Sequence, residues 1–167
     1  MILSVQDMAY QARALAQSHP LTPLAKQLVD RDVEVQRASQ AIAEASLWAS
    51  TAMITGYCLR RVEETEAGIV PEFHEEKAPD LDALDEATGR IAADLRAGEL
   101  TQRLLGDGDR TVAALDRIIA SEVDKRLHHY SESIDESTWA EVGEYLAWWT
   151  VKGYALRAAE MACGAVA

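Results

Sequence analysis

A ten-residue phrase that occurs twice is the feature that most constrains the fold of this chain. Residues 54–63 read ITGYCLRRVE, and residues 151–160 read VKGYALRAAE. The same spacing of 97 residues pairs Glu44 with Glu141, so the comparison extends over residues 44–63 and 141–160. We interpret the two segments as related helices that face each other in one bundle. Five positions of the phrase are identical: Gly56/Gly153, Tyr57/Tyr154, Leu59/Leu156, Arg60/Arg157 and Glu63/Glu160.

The two predicted helices carry complementary stripes at helical spacing. On the first helix the stripe consists of small residues, whereas on the second it contains large ones. Glycine inside a helix costs roughly 1 kcal/mol relative to alanine, so close packing is expected to offset it at both glycines. We predict that the helices cross near Gly56 and Gly153, with Trp149 filling the space left by Ala52. The first stripe contains Ala45, Ala49, Ala52 and Gly56, and the second contains Val142, Leu146, Trp149 and Gly153.

Capping signals divide the rest of the chain into further helices. The predicted segments run from Ser4 to about Gln17, from Thr22 to Gly68 with a bend or break near Asp30–Asp32, from Asp80 to Gly98, over Glu99–Leu105, from Asp109 to about Tyr130, and from Thr138 to about Met161. The break is expected because an unbroken helix over 22–68 would exceed about 60 Å. No segment predicts a strand. We therefore predict an all-α fold in one domain over residues 1–167, a bundle of four main helices plus shorter ones.

Composition and charge restrict the function classes. The net charge of −12 repels phosphate backbones, so nucleic-acid binding is disfavoured and a DNA-binding regulator ranks last. Residues 41–59 hold one charged residue, yet they are too rich in Ala, Ser and Thr for a predicted membrane span. The N-terminus shows no signal-peptide pattern. Cys58 and Cys163 form no metal-binding or disulfide motif, so we expect free thiols in a cytoplasmic protein.

The repeated residues form the sharpest candidate site. Two arginines and two tyrosines between the helices suit an anionic small molecule, because the guanidinium group offers a planar fork of donors. The alternative interpretation assigns Trp149 to packing and lets the Arg and Tyr tips reach solvent, with Arg–Glu pairs at i,i+3 on the helix surface. The candidate ligand-binding set is Tyr57, Arg60, Glu63, Tyr154, Arg157, Glu160 and Trp149.

Metal and catalytic motifs are not found in the sequence. A di-metal bundle needs Glu-x-x-His on two helices, and this pattern does not occur. His74, Glu75, Glu76, His128 and His129 are only loose candidates for a single ion, and a helix C-terminus explains the His128-His129 pair better. No phosphate-binding loop or nucleophile motif occurs, so neither a cofactor nor a catalytic residue is assigned.

Two function classes therefore remain open. The first is a non-catalytic helical protein that acts through self-association, as a homodimer, or through a protein partner. The second is a small anionic-ligand-binding protein or enzyme with a site between the repeated helices. The burial of Arg60 and Arg157 discriminates between them: a shared enclosed cavity favours a site, and opposite outer surfaces exclude it.

Overall fold

The computed structural model describes residues 2–18, 20–39, 45–96, 108–128 and 135–165. In these ranges the secondary structure is helical, with an isolated bridge at Phe73 and no strand, so the all-α prediction is confirmed. None of the described helices is both long and apolar enough to cross a membrane. The α-helices are α1 (Val5–Ala16), α2 (Pro23–Ser39), α3 (Ala45–Glu66), α4 (Leu81–Arg96), α5 (Gly108–Leu127) and α6 (Glu136–Ala162), and a 3-10 helix covers Glu75–Lys77.

Three predicted helix starts are confirmed by their capping bonds. Ser4 Oγ accepts a hydrogen bond from the amide of Asp7 at 3.1 Å, and α1 begins one residue after Ser4. Thr22 Oγ1 accepts from the amide of Ala25 at 3.2 Å, with Pro23 as the first residue of α2. Asp80 caps α4 through the amide of Ala83 at 2.8 Å. Each side-chain oxygen satisfies an amide that has no partner within its own helix.

The starts of the last two helices differ from the prediction. Helix α5 begins at Gly108, which places Asp109 inside the helix rather than at its cap. Helix α6 begins at Glu136, two residues before the predicted cap Thr138, because Asp135 is the cap and its carboxylate accepts from the amide of Thr138 at 2.8 Å. The predicted short helix over 99–105 lies outside the described residues.

A bend or break was predicted near Asp30–Asp32, and no break occurs there. Helix α2 continues through these residues to Ser39, and α3 begins at Ala45. Both aspartates are paired with cations: Lys26 Nζ lies 2.8 Å from Asp30 Oδ2, and Lys152 Nζ lies 2.6 Å from Asp32 Oδ2. These ion pairs favour the helix at residues with weak helix propensity, since the carboxylates are engaged by lysines instead of the local backbone.

Helices α3 and α6 cross with their backbones in contact, as the paired glycines predicted. A Cβ atom at Gly56 would lie 1.9 Å from the carbonyl oxygen of Thr150, and one at Gly153 would lie 1.9 Å from that of Met53. Neither distance leaves room for a methyl group, so only glycine fits at either position. Ala52 and Trp149 belong to the same buried apolar cluster beside the crossing.

The other helices pack around this central pair. Helices α1 and α2 pack on α3, and α4 and α5 pack on α6. Helix α1 also contacts α5, and α2 also contacts α4, so the helices that flank the central pair contact one another as well. The apolar core therefore forms two clusters, one containing Leu28, Met53 and Leu146 and the other containing Met8 and Ile118.

Candidate functional site

The predicted site residues lie in the interior, at the interface between α3 and α6. All seven are buried, and the six Tyr, Arg and Glu residues form two polar clusters that each join one tyrosine to the arginine and glutamate of the opposite helix. The seventh residue, Trp149, packs in the apolar core with Lys152 Nζ 5.3 Å from its ring centroid. We define the Arg157 cluster as Thr22, Tyr57, Glu64, Arg157 and Glu160, and the Arg60 cluster as Arg60, Glu63, Thr111 and Tyr154.

In the Arg157 cluster the guanidinium group is held by a bidentate ion pair. Arg157 Nε and Nη2 each donate to a carboxylate oxygen of Glu64 at 2.9 Å, and Nη1 donates to Tyr57 Oη at 3.0 Å. Tyr57 in turn donates to Glu160 Oε1 at 2.5 Å, and Thr22 donates to Glu160 Oε2 at 2.5 Å. This network satisfies the polar groups and ties the start of α2 to the central helix pair.

The Arg60 cluster repeats this arrangement with one partner missing. Arg60 Nη1 donates to Tyr154 Oη at 3.4 Å, and Thr111 donates to Glu63 Oε2. Among the described residues, Arg60 Nε and Glu63 Oε1 have no hydrogen-bond partner. At the spacing of 97 residues, Glu64 corresponds to Met161, so no carboxylate takes the place that Glu64 holds beside Arg157.

Burial keeps the tyrosines of both clusters protonated. It raises the pKa of Tyr57 and of Tyr154 well above the ordinary value, and the neighbouring carboxylates of Glu160 and Glu63 raise these pKa values further. Burial also raises the pKa of Glu63 and of Glu160. Both phenols are therefore neutral at physiological pH and act as hydrogen-bond donors rather than as nucleophiles.

The two arginines meet neither of the predicted arrangements. They are buried rather than on outer surfaces, but their side chains join different clusters and do not share one cavity. Arg157 borders a cavity of about 260 Å³ whose wall also includes Thr22, Arg61 and Phe73. The assignment of the seven residues to ligand binding stays a prediction.

A second cavity, between α1, α3 and α5, has a predominantly basic wall. We call it the basic cavity. It measures about 300 Å³, and among the described residues its ionic lining consists of three cations, Arg13, Lys125 and Arg126, and one carboxylate, Glu122. Sequence reasoning missed this site because its residues come from three helices that are distant in the chain and share no motif. Ala16, Gln17, Thr51, Ile54 and Thr55 complete the wall.

The charged groups of the basic cavity are only partly paired with one another. Arg13 Nη1 donates to Ser121 Oγ at 2.6 Å. Arg126 Nη2 lies 3.3 Å from Glu122 Oε2 in an ion pair that does not meet hydrogen-bond geometry. Within the described part of the chain, Glu122 Oε2 and Arg126 Nε are buried without a hydrogen-bond partner. Both atoms belong to residues that line the same cavity, and neither has its hydrogen-bonding capacity filled.

Small residues on α3 leave this space open. At the spacing of 97 residues, Thr51 corresponds to Trp148 and Thr55 corresponds to Lys152. The Trp148 ring lies beside Arg96 of α4, 6.0 Å from its guanidinium carbon, and Lys152 Nζ lies 2.6 Å from Asp32 and 3.3 Å from Asp85. Helix α6 thus presents two large side chains to its neighbours where α3 presents two threonines.

The remaining candidates do not form a metal centre in the described ranges. No group of three or more His, Cys, Asp or Glu side chains is placed there to hold an ion. His74 Nδ1 lies 3.5 Å from Glu76 Oε1, and His128 follows the end of α5, while His129 lies outside the described residues. Burial raises the pKa of the Cys58 thiol to about 12, which makes it unreactive.

Comparison with known proteins returns no match: no protein-family model fits the sequence, no curated protein is significantly similar to it, and no solved structure matches the fold. Functional proposals for this chain therefore rest on its own residues and on the cavities between its helices.

Proposed function

We propose that this protein binds a small anionic molecule in the basic cavity between α1, α3 and α5. The observation that supports the proposal is a local excess of positive charge at an enclosed space, in a chain whose net charge is −12. Three cations and one carboxylate line the cavity. Positive groups that face one another repel unless an anion lies between them, so a bound anion stabilises this arrangement.

The lining chemistry favours a phosphate or carboxylate group. Arg13 and Arg126 present guanidinium groups from α1 and α5, and such groups bind these anions through two parallel hydrogen bonds. Lys125 adds a third positive charge at the exposed rim. A volume of about 300 Å³ lies at the lower end of the range for small-molecule sites, which favours a compact ligand over a nucleotide.

The Tyr/Arg/Glu residues of the repeated helices have a structural role in this proposal. They hold α3 against α6 through two buried networks, and α3 provides the floor of the basic cavity through Thr51, Ile54 and Thr55. The proposed ligand is still a small anion, as the sequence predicted. The proposed site lies between α1, α3 and α5 instead of between α3 and α6.

Inorganic phosphate provides the first test. Thermal unfolding of the wild-type protein is measured with and without phosphate at constant ionic strength, alongside Arg126→Gln and Thr51→Trp. A ligand that binds only the folded state raises the melting temperature, by several degrees at a hundredfold excess over Kd. We expect this rise in the wild type, a loss of most of it in Arg126→Gln, and a loss in Thr51→Trp, where an indole fills the cavity as Trp148 does on α6.

Arg37→Gln is the matched control, because it removes one exposed arginine that pairs with Glu34 outside the cavity. Its response to phosphate is expected to equal that of the wild type. A phosphate response that is the same in all four proteins, or absent from the wild type, contradicts the proposal.

Self-association as a homodimer is the second candidate function. It is supported by two apolar side chains, Val35 and Leu47, that are each 58% exposed. Tyr145 Oη lies 3.2 Å from Gln36 Oε1 and 3.0 Å from the carbonyl oxygen of Ala45, so the end of α2 and the start of α3 adjoin at one corner. A dimer formed at this corner would remove apolar surface of both side chains from water.

We also propose that the two helix triplets, α1–α3 and α4–α6, arose by duplication. The support is the exchange of partners across the crossing: Tyr57 bonds to Arg157 and Glu160, and Tyr154 bonds to Arg60 and Glu63.

Two free cysteines, one buried and one exposed, further favour a reducing compartment such as the cytoplasm.

A further inference from the structure

We propose that the ligand of the basic cavity carries an ammonium group as well as its anionic group, and that Glu122 selects for the ammonium. This inference rests on the proposed function and names its ligand class. The expected ligand is a compact zwitterion in which a short linker joins a phosphate or carboxylate to an amine.

The burial of Glu122 is the first observation behind this inference. Its residue is 4% exposed, it lines the basic cavity, and its Oε2 atom accepts no hydrogen bond from any described residue. The ion pair with Arg126 compensates part of the desolvation cost of this carboxylate, but an oxygen without a hydrogen-bond donor stays incompletely satisfied. A donor group on the ligand removes this penalty, and a positively charged donor does so most effectively.

The position of Arg126 determines how the ligand is oriented. Its Nε is also buried without a hydrogen-bond partner, while its Nη2 lies 3.3 Å from Glu122 Oε2. Among the described residues, one unsatisfied donor and one unsatisfied acceptor therefore belong to side chains one turn apart on the same face of α5. A zwitterion satisfies both when its anionic oxygen accepts from Arg126 and its ammonium donates to Glu122, with Arg13 and Lys125 balancing the remaining negative charge.

On the other central helix, an ammonium group lies between two carboxylates. Lys152 of α6 points its Nζ at two carboxylate oxygens, of Asp32 at 2.6 Å and of Asp85 at 3.3 Å. The corresponding residue of α3 is Thr55, which supplies no ammonium. An ammonium group on the ligand supplies beside Glu122 the kind of charged donor that Lys152 supplies beside Asp32 and Asp85. A charged donor binds a carboxylate more strongly than a hydroxyl group does.

Two probes of nearly equal size separate the ammonium from the phosphate. Phosphoethanolamine carries both groups, and ethyl phosphate lacks the amine. Affinities are measured by isothermal titration calorimetry for the wild type, Glu122→Gln and the control Glu34→Gln, whose carboxylate is exposed on α2. We expect the wild type and Glu34→Gln to prefer phosphoethanolamine by tenfold or more, and Glu122→Gln to bind both probes with nearly equal affinity.

Ethyl phosphate also reports whether the variant is folded. Loss of a carboxylate makes the cavity more positive, so Glu122→Gln is expected to bind ethyl phosphate at least as tightly as the wild type does. If Glu122→Gln does not fold, Glu122→Asp replaces it, because the shorter carboxylate keeps the charge but reaches less far, and a reduced preference is expected.

The outcomes distinguish the two proposals. Equal wild-type affinity for both probes overturns the inference about the ammonium and leaves the anion site intact. A preference for phosphoethanolamine that persists in Glu122→Gln overturns the role of Glu122. If neither probe binds and inorganic phosphate also gives no response, the proposed function fails together with the inference.

Discussion

Buried charge in this protein is tolerated where each charged group has several partners. Arg157 shows the complete case, since Glu64 holds two of its nitrogens and Tyr57 holds the third. Arg60 shows the incomplete case, since Met161 stands where a second carboxylate would be expected from the 97-residue spacing. Because the cost of desolvating a charge is repaid only by close partners, the two arginines contribute differently to stability.

Glu64→Gln is expected to reduce the free energy of unfolding by about 3–5 kcal/mol, because it leaves the buried Arg157 guanidinium without its counter-charge. The measurement is urea unfolding monitored by circular dichroism at neutral pH. The matched control is Glu144→Gln, which disrupts an ion pair with Arg96 in which the glutamate side chain is 75% exposed. The control is expected to change stability by less than about 1 kcal/mol, and similar values for both variants contradict the argument.

The close approach of the α3 and α6 backbones depends on a pair of glycines, one on each helix. At each glycine, the backbone of the other helix lies so close that a Cβ atom would not fit. At Gly56, for example, the carbonyl oxygen of Thr150 would lie 1.9 Å from such an atom. Close approach brings the Tyr, Arg and Glu side chains within hydrogen-bonding reach across the interface. The glycines therefore control both the crossing and the assembly of the two polar clusters.

Gly56→Ala is expected to destabilise the protein by at least about 2 kcal/mol, because the new methyl group meets the backbone of α6, which cannot move aside as a flexible side chain can. Gly89→Ala in α4 is the control, since a Cβ atom there meets nothing within 4 Å. It is expected to stabilise the protein by up to about 1 kcal/mol through helix propensity. Thermal unfolding of both variants checks this, and a neutral Gly56→Ala would show that the backbones are further apart.

At the scale of the whole molecule, charge and exposed apolar groups act in opposite directions on association. Two chains that each carry a net charge of −12 repel each other, and salt screens this repulsion. Apolar side chains such as Leu47 favour contact and are little affected by moderate salt. If the corner formed by α2 and α3 is a dimer interface, association is expected to depend strongly on ionic strength.

We expect the dimer fraction, measured by light scattering after size-exclusion chromatography, to rise from low to high salt. Leu47→Glu is expected to give a monomer at both salt concentrations, because it places another negative charge in the interface. Val70→Glu is the control, since Val70 is 86% exposed in the segment between α3 and α4. A wild-type monomer under all conditions, or equal dimerisation of the two variants, contradicts the homodimer proposal.

Local signals predicted the fold class and much of the helix pattern. Ser4, Thr22 and Asp80 cap helices because a short polar side chain before an amphipathic run satisfies amides within three residues. At the start of α6 two residues can each cap the helix. The capping pattern predicted Thr138, but Asp135 is the residue that accepts the capping hydrogen bond. The break predicted at Asp30–Asp32 failed because Lys152, 120 residues away from Asp32, pairs with it.

Capping, periodicity and small-residue stripes are local properties, and from them the helical fold, the starts of several helices and the crossing at Gly56 and Gly153 could be predicted. Which side chains meet across the helices depends on their packing. It sorted the repeated tyrosines, arginines and glutamates into two internal clusters, and it assembled the basic cavity from Arg13, Glu122 and Arg126 on two helices against the threonines of a third. Long-range proximity depends on how helices pack, and no spacing along the chain encodes it.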